Sequence, residues 1–229
     1  LPRYIDEMKA LAHQTGMHYK DILVANTILD RLALCGGSIK ATNADACKMA
    51  TNYFHSHGRG DSVHDAYKSF WRYDMLAAST DSSKNALKKI AMQETIASCV
   101  YDATSQKLLY AFGSDYSANR PYRCYSLKAL LGKSHELTLI HNIDVPMGLL
   151  APFTRLFVRP KTSQTHAFVS IGWLGLIGTY SGINEHGLIV AACSVPGQKP
   201  VQGRTPNQLL IRQILEEASN LQEATALIK

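Results

Sequence analysis

The chain has 229 residues, of which 46% are hydrophobic and 18% charged, and its formal net charge at pH 7 is +6. This length allows one sizeable domain or two small ones, and the composition is that of a globular protein, which excludes a disordered chain. The basic residues are dispersed rather than gathered into a stripe with aromatic residues, so we expect no nucleic-acid partner. The five cysteines lack regular spacing, which argues against a disulfide framework and against a Cys-x-x-Cys metal site.

Hydropathy predicts no membrane span. The most apolar stretch, residues 167–188, is interrupted by glycines and polar residues, so it is not a transmembrane helix. The chain begins at Leu1 rather than at methionine. We therefore expect a processed or truncated start, which carries no information about export.

Helical periodicity dominates the beginning and the end of the chain. Apolar residues from Ile5 to Ala12 recur at helical spacing, Gly16 interrupts the run, and a second helix is predicted to end near Leu34. Residues 40–93 are predicted to be mostly helical and irregular. The remaining predicted helices cover residues 63–78 and 83–92 and two runs within residues 206–229.

Strand patterns fill the middle of the chain. Residues 95–101 and 107–112 predict a hairpin around the turn that begins at Asp102. Further strands are predicted just after residue 123 and over residues 137–141, 156–158, 167–171, 177–180 and 188–193. The segment from Gly182 to Gly187 is predicted as the tight turn between the last two strands. Because strands and helices come in separate groups, the pattern indicates an α+β fold with two stacked sheets and helices outside.

Cys35 directly follows the second predicted helix and precedes Gly36, Gly37 and Ser38. Glycines let a substrate approach a nucleophile closely, and a serine can donate a hydrogen bond. The same pattern is also typical of a small buried cysteine beside a turn, so the residues leave both interpretations open.

A polar loop contains His55, His57 and His64 together with Asp61 and Asp65. These side chains could bind a metal, and the run loosely resembles the zinc loop of metallo-β-lactamase-type hydrolases. Zinc requires tight tetrahedral geometry, however, and the spacing differs by several residues. A solvated polar loop is the alternative.

Two segments later in the chain are candidate sites. His141-Asn142-Ile143-Asp144 ends a predicted strand and places an amide and a carboxylate together. The alternative is a turn in which Asn142 and Asp144 cap their own backbone. Residues 178–188 carry glycines and an asparagine placed for a hairpin, and a purely structural turn explains them as well.

Taken together, these segments resemble the N-terminal-nucleophile (Ntn) hydrolases that include isopenicillin N acyltransferase and relatives of acid ceramidase. Residues 1–34 are similar to the pro-segment of that family, and Cys35 stands where the family has its nucleophile. The other matching segments are Thr51-Asn52-Tyr53 for Thr-Asn-His, residues 95–113 for a late hairpin, His141-Asn142-Ile143-Asp144 for Arg-Asn-x-Asp, and residues 178–188 for Gly-x-x-x-Gly-x-Asn-x-x-Gly-Leu. The resemblance implies a four-layer αββα sandwich of two antiparallel sheets, with residues 1–34 as a helical pro-segment or small subunit and 35–229 as the catalytic body.

The resemblance also implies a mechanism. Self-cleavage between Leu34 and Cys35 would give Cys35 a free α-amine with a pKa of about 7.7–8.0, which could take the thiol proton. Asp144 would orient this amine, and Asn52 would donate to the oxyanion. The family acts on linear amides of small molecules through a thioester and needs no metal or organic cofactor.

Other residues have implied roles that remain open. Asn184 would contact the substrate or support the cysteine, and either Arg120 or Arg123 would supply an arginine that some members use for the substrate. Four apolar residues could line an acyl pocket or belong to the core: Phe153, Trp173, Leu174 and Leu176. A homo-oligomer is compatible with the family.

Two departures from the family stand out. His141, which the resemblance places among the catalytic residues, replaces an arginine, and histidine is shorter and titrates near neutrality. In addition, the family places the block resembling residues 134–229 directly after the cysteine, whereas residues 40–132 intervene here. We therefore predict that the joins near residues 39–43 and 132–135 are not ordinary connections within one core.

Two functions from other classes remain as alternatives. A non-catalytic binding protein of the same fold would keep the sheets without needing a reactive thiol. A zinc-dependent hydrolase would use His55, His57 and His64 as metal ligands.

Overall fold

The structure is a computed structural model that describes residues 2–32, 69–78, 83–93, 95–102, 105–113, 116–131, 138–144, 148–192 and 205–228. The helices are α1 (Pro2–Thr15), α2 (Tyr19–Leu32), α3 (Ser69–Ala77), α4 (Ser83–Ile90), α5 (Leu127–Leu131), α6 (Asn207–Glu217) and α7 (Leu221–Ile228). The strands are β1 (Thr95–Asp102), β2 (Lys107–Phe112), β3 (Arg123–Ser126), β4 (Thr138–Asp144), β5 (Thr154–Arg159), β6 (Phe168–Trp173), β7 (Ser181–Asn184) and β8 (Ile189–Ala191). Within these ranges, no helix is long and apolar enough to cross a membrane.

The strands form two four-stranded antiparallel sheets. The first sheet has the order β3-β2-β1-β4, and the second has the order β5-β6-β7-β8. The predicted hairpin is confirmed as β1 and β2, which pair from Ala97 with Phe112 to Asp102 with Lys107. On its other side β1 pairs with β4, which sets Cys99 opposite His141.

The two sheets pack face to face around the main core. Alternate residues of β1, including Cys99 and Tyr101, point inward and meet Val169, Ile171 and Ile183 of the second sheet. This alternation is what a half-buried strand requires, because successive side chains point to opposite faces. The residues between them, such as Val100, point outward and contact the helices.

Helices cover both outer faces. Leu87 of α4 packs on the outer side of the first sheet, while Ile211 and Leu215 of α6 pack against Phe168 of the second. The order is therefore helix, sheet, sheet, helix, which confirms the predicted αββα sandwich. The two predicted N-terminal helices are also confirmed, and Tyr4 and Met8 of α1 are buried in a cluster with Leu209 of α6.

The hairpin around residue 184 differs from the sequence prediction. Residues 177–180 were predicted as a strand, which is wrong, because residues 174–180 form turns and bends and β7 begins at Ser181. Gly182 lies inside β7 rather than in the turn. A Cβ at Gly182 would lie 2.6 Å from the Val169 carbonyl oxygen and 2.7 Å from Leu215 Cδ1. This glycine therefore permits close packing between the strand and α6, a need that the sequence pattern cannot distinguish from a turn.

Candidate active site

A buried carboxylate marks the end of β4. The side chain of Asp144 is 8% exposed, and one of its oxygens forms an ion pair with the guanidinium of Arg72 on α3. The other oxygen accepts a hydrogen bond from the Thr95 hydroxyl at the start of β1, which the sheet register places opposite Asp144. The Thr95 hydroxyl in turn accepts a hydrogen bond from the Met92 backbone N–H at 2.8 Å. The carboxylate is thus held by two elements of the fold.

This arrangement leaves the carboxylate able to accept further hydrogen bonds. An ionised carboxylate has about four lone-pair positions, and Arg72 and Thr95 use two of them. The geometry therefore suits a group that receives and orients an additional donor such as an amine.

His141 points between the two sheets. Its Nε2 lies 3.0 Å from the Ala192 carbonyl oxygen, just after β8, and its Nδ1 is buried without a hydrogen-bond partner among the described residues. Burial lowers the pKa of His141 to about 4. The ring is consequently neutral at pH 7, with the Nε2–H donating to Ala192. A neutral imidazole provides neither the charge nor the fork of donors of the family's arginine.

His141 and Asp144 are close in sequence but contact different layers of the fold. His141 contacts the second sheet, whereas Asn142 bonds to Ser98 and to the Leu87 carbonyl oxygen of α4. Asp144 bonds to Arg72 of α3. The alternation of side chains along β4 separates the inward histidine from the outward carboxylate. The structure therefore places the two predicted catalytic side chains in different environments.

Asn184 is fully buried at the end of β7. Its Nδ2 donates to the carbonyl oxygens of Leu215 at 3.1 Å and Ala218 at 2.7 Å. Its Oδ1 accepts from the backbone N–H groups of His186 at 3.0 Å and Leu188 at 3.1 Å. These bonds tie the turn after β7 to the C-terminal end of α6. They describe a supporting role, and a direct contact between Asn184 and substrate stays a prediction.

The two arginines considered for the substrate lie near the first sheet. Arg123 is exposed on the edge strand β3, and its guanidinium carbon lies 5.5 Å from the centre of the Phe112 ring. Arg120 follows a short 3₁₀ helix and packs so closely on Gly113 that a Cβ there would lie 2.5 Å from Arg120 Nε. Both arginines are exposed, and the role of either in substrate binding stays a prediction.

The apolar residues considered for an acyl pocket divide into two groups. Trp173 and Leu176 are 6% exposed and belong to the core between the sheets. Phe153 and Leu174 are 50% and 54% exposed, and the Leu174 backbone N–H donates to the Phe153 carbonyl oxygen at 3.0 Å. Only the second pair is available to a ligand at the surface.

Several predicted site residues lie outside the described residues. These are Leu34, Cys35, Asn52, and the histidines His55, His57 and His64. The two joins predicted to be unusual, near residues 39–43 and 132–135, also lie outside them. Helix α2, which leads toward Cys35, is anchored on the turns between β6 and β7: Asn26 donates to the Gly175 carbonyl oxygen at 3.0 Å and accepts from the Ile177 N–H at 2.5 Å.

Two free cysteines are described. Cys99 is 0% exposed, and burial raises the pKa of its thiol to about 12. It donates to the His141 carbonyl oxygen at 3.4 Å and lies in the inter-sheet core, so it has the character of an inert structural cysteine. Cys124 is exposed on β3.

The sequence interpretation did not identify the partners of Asp144. Arg72 is 4% exposed, although it follows the large apolar residue Trp71, which is 46% exposed. The only sign in the sequence was that Arg72 stands among aromatic residues. That position does not indicate which carboxylate Arg72 would bind. Thr95 was assigned simply to a strand.

Comparison with known proteins supports the resemblance. Residues 130–229 match the family described as Acyl-coenzyme A:6-aminopenicillanic acid acyl-transferase. The matched part contains β4 to β8, α6 and α7, and therefore His141, Asp144 and Asn184. No curated protein and no solved structure matches the chain significantly.

Proposed function

We propose, from the premise that residues 130–229 belong to the isopenicillin N acyltransferase-like Ntn family, that the protein is a self-processing cysteine amidohydrolase or acyltransferase. Its substrate is a small molecule with a linear amide bond, and its nucleophile is Cys35. The observation that carries the proposal is the buried Asp144 carboxylate, which Arg72 and Thr95 hold at the end of β4.

The reaction begins with cleavage of the Leu34–Cys35 peptide bond, which leaves Cys35 with a free α-amine. This amine takes the thiol proton, and the thiolate attacks the amide carbonyl of the substrate. The side-chain amide of Asn52 stabilises the oxyanion. The α-ammonium returns the proton to the leaving amine, and a thioester forms on Cys35. Water or a second amine then attacks the thioester and releases the acid or the new amide.

Asp144 suits the task of orienting the amine. Its carboxylate is fixed by Arg72 and Thr95 from two directions, so it does not need to reorganise when the amine changes its protonation state. Arg72 and Thr95 are its partners within the described ranges, so its other lone pairs can accept two N–H bonds from an amine. We assign Arg72 and Thr95 as positioning residues that act through this carboxylate.

The contacts of α1 support retention of residues 1–34 after cleavage. Both nitrogens Nη1 and Nη2 of Arg212 on α6 bond to the Glu7 carboxylate at 2.6 Å, and the Tyr4 hydroxyl bonds to Glu216 at 2.8 Å. Tyr4 is 1% exposed in the shared cluster. A cleaved pro-segment held by these contacts would remain bound as a small subunit.

Intact-mass measurement under denaturing conditions, before and after iodoacetamide, tests the proposal. We expect one species that ends at Leu34 and a second that begins with an alkylated Cys35. The variant Cys35→Ala should give a single uncleaved chain. Cys124→Ala is the matched control, because it removes an exposed thiol from an edge strand and should leave cleavage unchanged.

A second step tests the chemistry. An acyl p-nitroanilide incubated with the cleaved protein should release p-nitroaniline and leave an acyl adduct on the Cys35 fragment. A wild-type chain that stays uncleaved and forms no adduct would contradict the proposal and favour a binding protein of the same fold. Cleavage that persists in Cys35→Ala would exclude Cys35 as the nucleophile.

A further inference from the structure

Three potential metal ligands meet beside the turn between β7 and β8. Glu185 and His186 belong to this turn, and His166 precedes β6. The antiparallel pairing of Phe168 with Asn184 brings the two segments together, and the Glu185 backbone N–H donates to the Ala167 carbonyl oxygen at 2.9 Å. The ligand atoms of the three side chains all lie within 4.8 Å of one another.

Two of the three separations within the cluster are close to those of a tetrahedral metal site, and the third is at most 4.8 Å. His186 Nε2 lies 3.2 Å from His166 Nδ1, and His166 Nδ1 lies 3.5 Å from Glu185 Oε1. Zinc binds imidazole nitrogen and carboxylate oxygen at about 2.0–2.2 Å, so two tetrahedral ligands lie roughly 3.4 Å apart. A cation can therefore enter between these atoms without large movement of the backbone.

An outer hydrogen bond orients the His166 ring. His166 Nε2 lies 3.3 Å from the hydroxyl of Ser219, whose backbone N–H donates to Glu223 at 2.7 Å. With the proton on Nε2, the lone pair of Nδ1 points at Glu185 and His186. Metal-binding histidines usually have such a second partner, which selects the tautomer that can coordinate.

The cluster is sheltered but accessible. Glu185 is 8% exposed, and its Oε1 forms an ion pair at 3.0 Å with Lys161, whose side chain is 62% exposed. A pocket of about 290 Å³, lined by residues 161–166 with Glu216 and Glu217, opens beside His166. The Lys161 ammonium thus occupies part of the electrostatic position that a metal would take, and it can swing into water.

We propose that His166, Glu185 and His186 form a binding site for a divalent transition-metal ion such as Zn²⁺. Two imidazoles and one carboxylate are a ligand set that zinc accepts, and water would complete the tetrahedron. The ion would connect the β7–β8 turn to the segment before β6 and, through Ser219, to the junction of α6 and α7. This site uses none of the residues assigned to the Cys35 chemistry.

Calorimetric titration of the full chain with Zn²⁺ at neutral pH, after treatment with a chelator, tests this site. We expect one ion per chain and a rise in the melting temperature with zinc concentration. His166→Ala and His186→Ala should each weaken binding by more than about tenfold, because even outer partners of metal ligands often contribute that much. The matched control is His13→Ala, which removes an exposed histidine from the last turn of α1.

Lys161→Gln provides a second test, in which the expected result is stronger zinc binding. A misfolded variant would bind zinc more weakly and could not give this result. Loss of the ammonium beside Glu185 should strengthen zinc binding by about fivefold, the size of one like-charge interaction at about 4 Å in water. Water is the relevant medium because the Lys161 side chain is 62% exposed. Absence of zinc binding would overturn the proposal and leave a hydrogen-bonded network. Unchanged affinity in both histidine variants would also overturn it, since the ion would then bind elsewhere. A zinc affinity that fails to rise in Lys161→Gln would contradict the proposal as well. Circular dichroism identifies the variants that fold.

Discussion

Two buried carboxylates of this protein have similar surroundings but differ in how many further hydrogen bonds they can accept. Glu216 on α6 accepts hydrogen bonds from the Tyr4 hydroxyl and from Arg212 Nε, both at 2.8 Å, and it contacts Arg3 at 2.6 Å. Asp144 on β4 is bound by Arg72 and Thr95. Both carboxylates are shielded from water and paired with arginine.

The difference lies in how many hydrogen-bonding positions of each carboxylate are already used by neighbouring side chains. The Glu216 cluster cross-links α1 and α6, and Arg212 additionally binds Glu7 at 2.6 Å and the Ile177 carbonyl oxygen at 2.9 Å. Its donors and acceptors satisfy one another, so it stabilises the packing of two distant helices. Among the described residues, only Arg72 and Thr95 bind the Asp144 carboxylate, which leaves it two lone-pair positions for further donors. We infer that buried ion pairs in this fold serve structure at α6 and chemistry at β4.

The largest expected effect is a loss of stability when the Glu216 cluster is disrupted. Arg212→Met should lower the free energy of unfolding by about 3–5 kcal/mol, because Glu7 and Glu216 lose the cation that compensates their burial. Urea denaturation measures this loss. Lys9→Met is the control, since Lys9 is 60% exposed and a surface substitution should change stability by less than about 0.5 kcal/mol. A loss below about 1 kcal/mol in Arg212→Met would show that the cluster is not a structural cross-link.

The second prediction compares the same chemical change at both carboxylates. In the cleaved protein, Asp144→Asn should slow the release of p-nitroaniline by at least about a hundredfold, because the α-amine loses its carboxylate partner and general acid–base catalysis typically supplies factors of that size. Glu216→Gln should leave the release rate of the cleaved, folded fraction unchanged. The rate is followed by absorbance, and mass spectrometry gives the cleaved fraction of each variant. Equal rates in the two variants would remove the functional distinction between the clusters.

The third prediction concerns His141, whose ring lies between the two sheets and bonds to the Ala192 carbonyl oxygen. Its pKa is about 4 in the folded protein, below the usual value near 6.5 in the unfolded chain, so the unfolded state binds the proton more tightly. The stability due to neutral His141 is complete above pH 6.5 and is lost as pH falls toward 4. Between pH 7 and pH 4.5, the wild type should lose on the order of 2 kcal/mol more than His141→Gln. Urea denaturation at both pH values checks this, and parallel curves would contradict the burial of a neutral ring.

The smallest expected effect is that of Tyr4→Phe. This change removes one hydroxyl from the Glu216 cluster and leaves the aromatic packing in place, so stability should fall by about 1 kcal/mol. Thermal unfolding followed by circular dichroism measures it, with Tyr116→Phe as the control because Tyr116 is 44% exposed. A loss as large as that of Arg212→Met would mean that the hydroxyl, rather than the charge pair, organises the cluster.

Local sequence patterns predicted much of the architecture. The helical spacing in residues 1–34 predicted α1 and α2, and the alternation in residues 95–112 predicted the β1–β2 hairpin. Grouped strands and helices predicted the layered α+β class, and the family motifs predicted the sandwich. These features depend on residues a few positions apart, because helix and strand periods are short-range properties of the chain.

The tertiary structure decided which side chains meet. Asp144 bonds to Arg72, which is 72 residues earlier, and Arg212 bonds to Glu7 at a separation of 205. The position of β7 depended on how closely Gly182 packs against α6. The sequence by itself therefore determined most of the helices and strands and the match of residues 130–229 to the acyltransferase family. The partners of Asp144, the supporting bonds of Asn184 and the cluster at His166 came from the packing, because contacts between distant segments leave no local pattern.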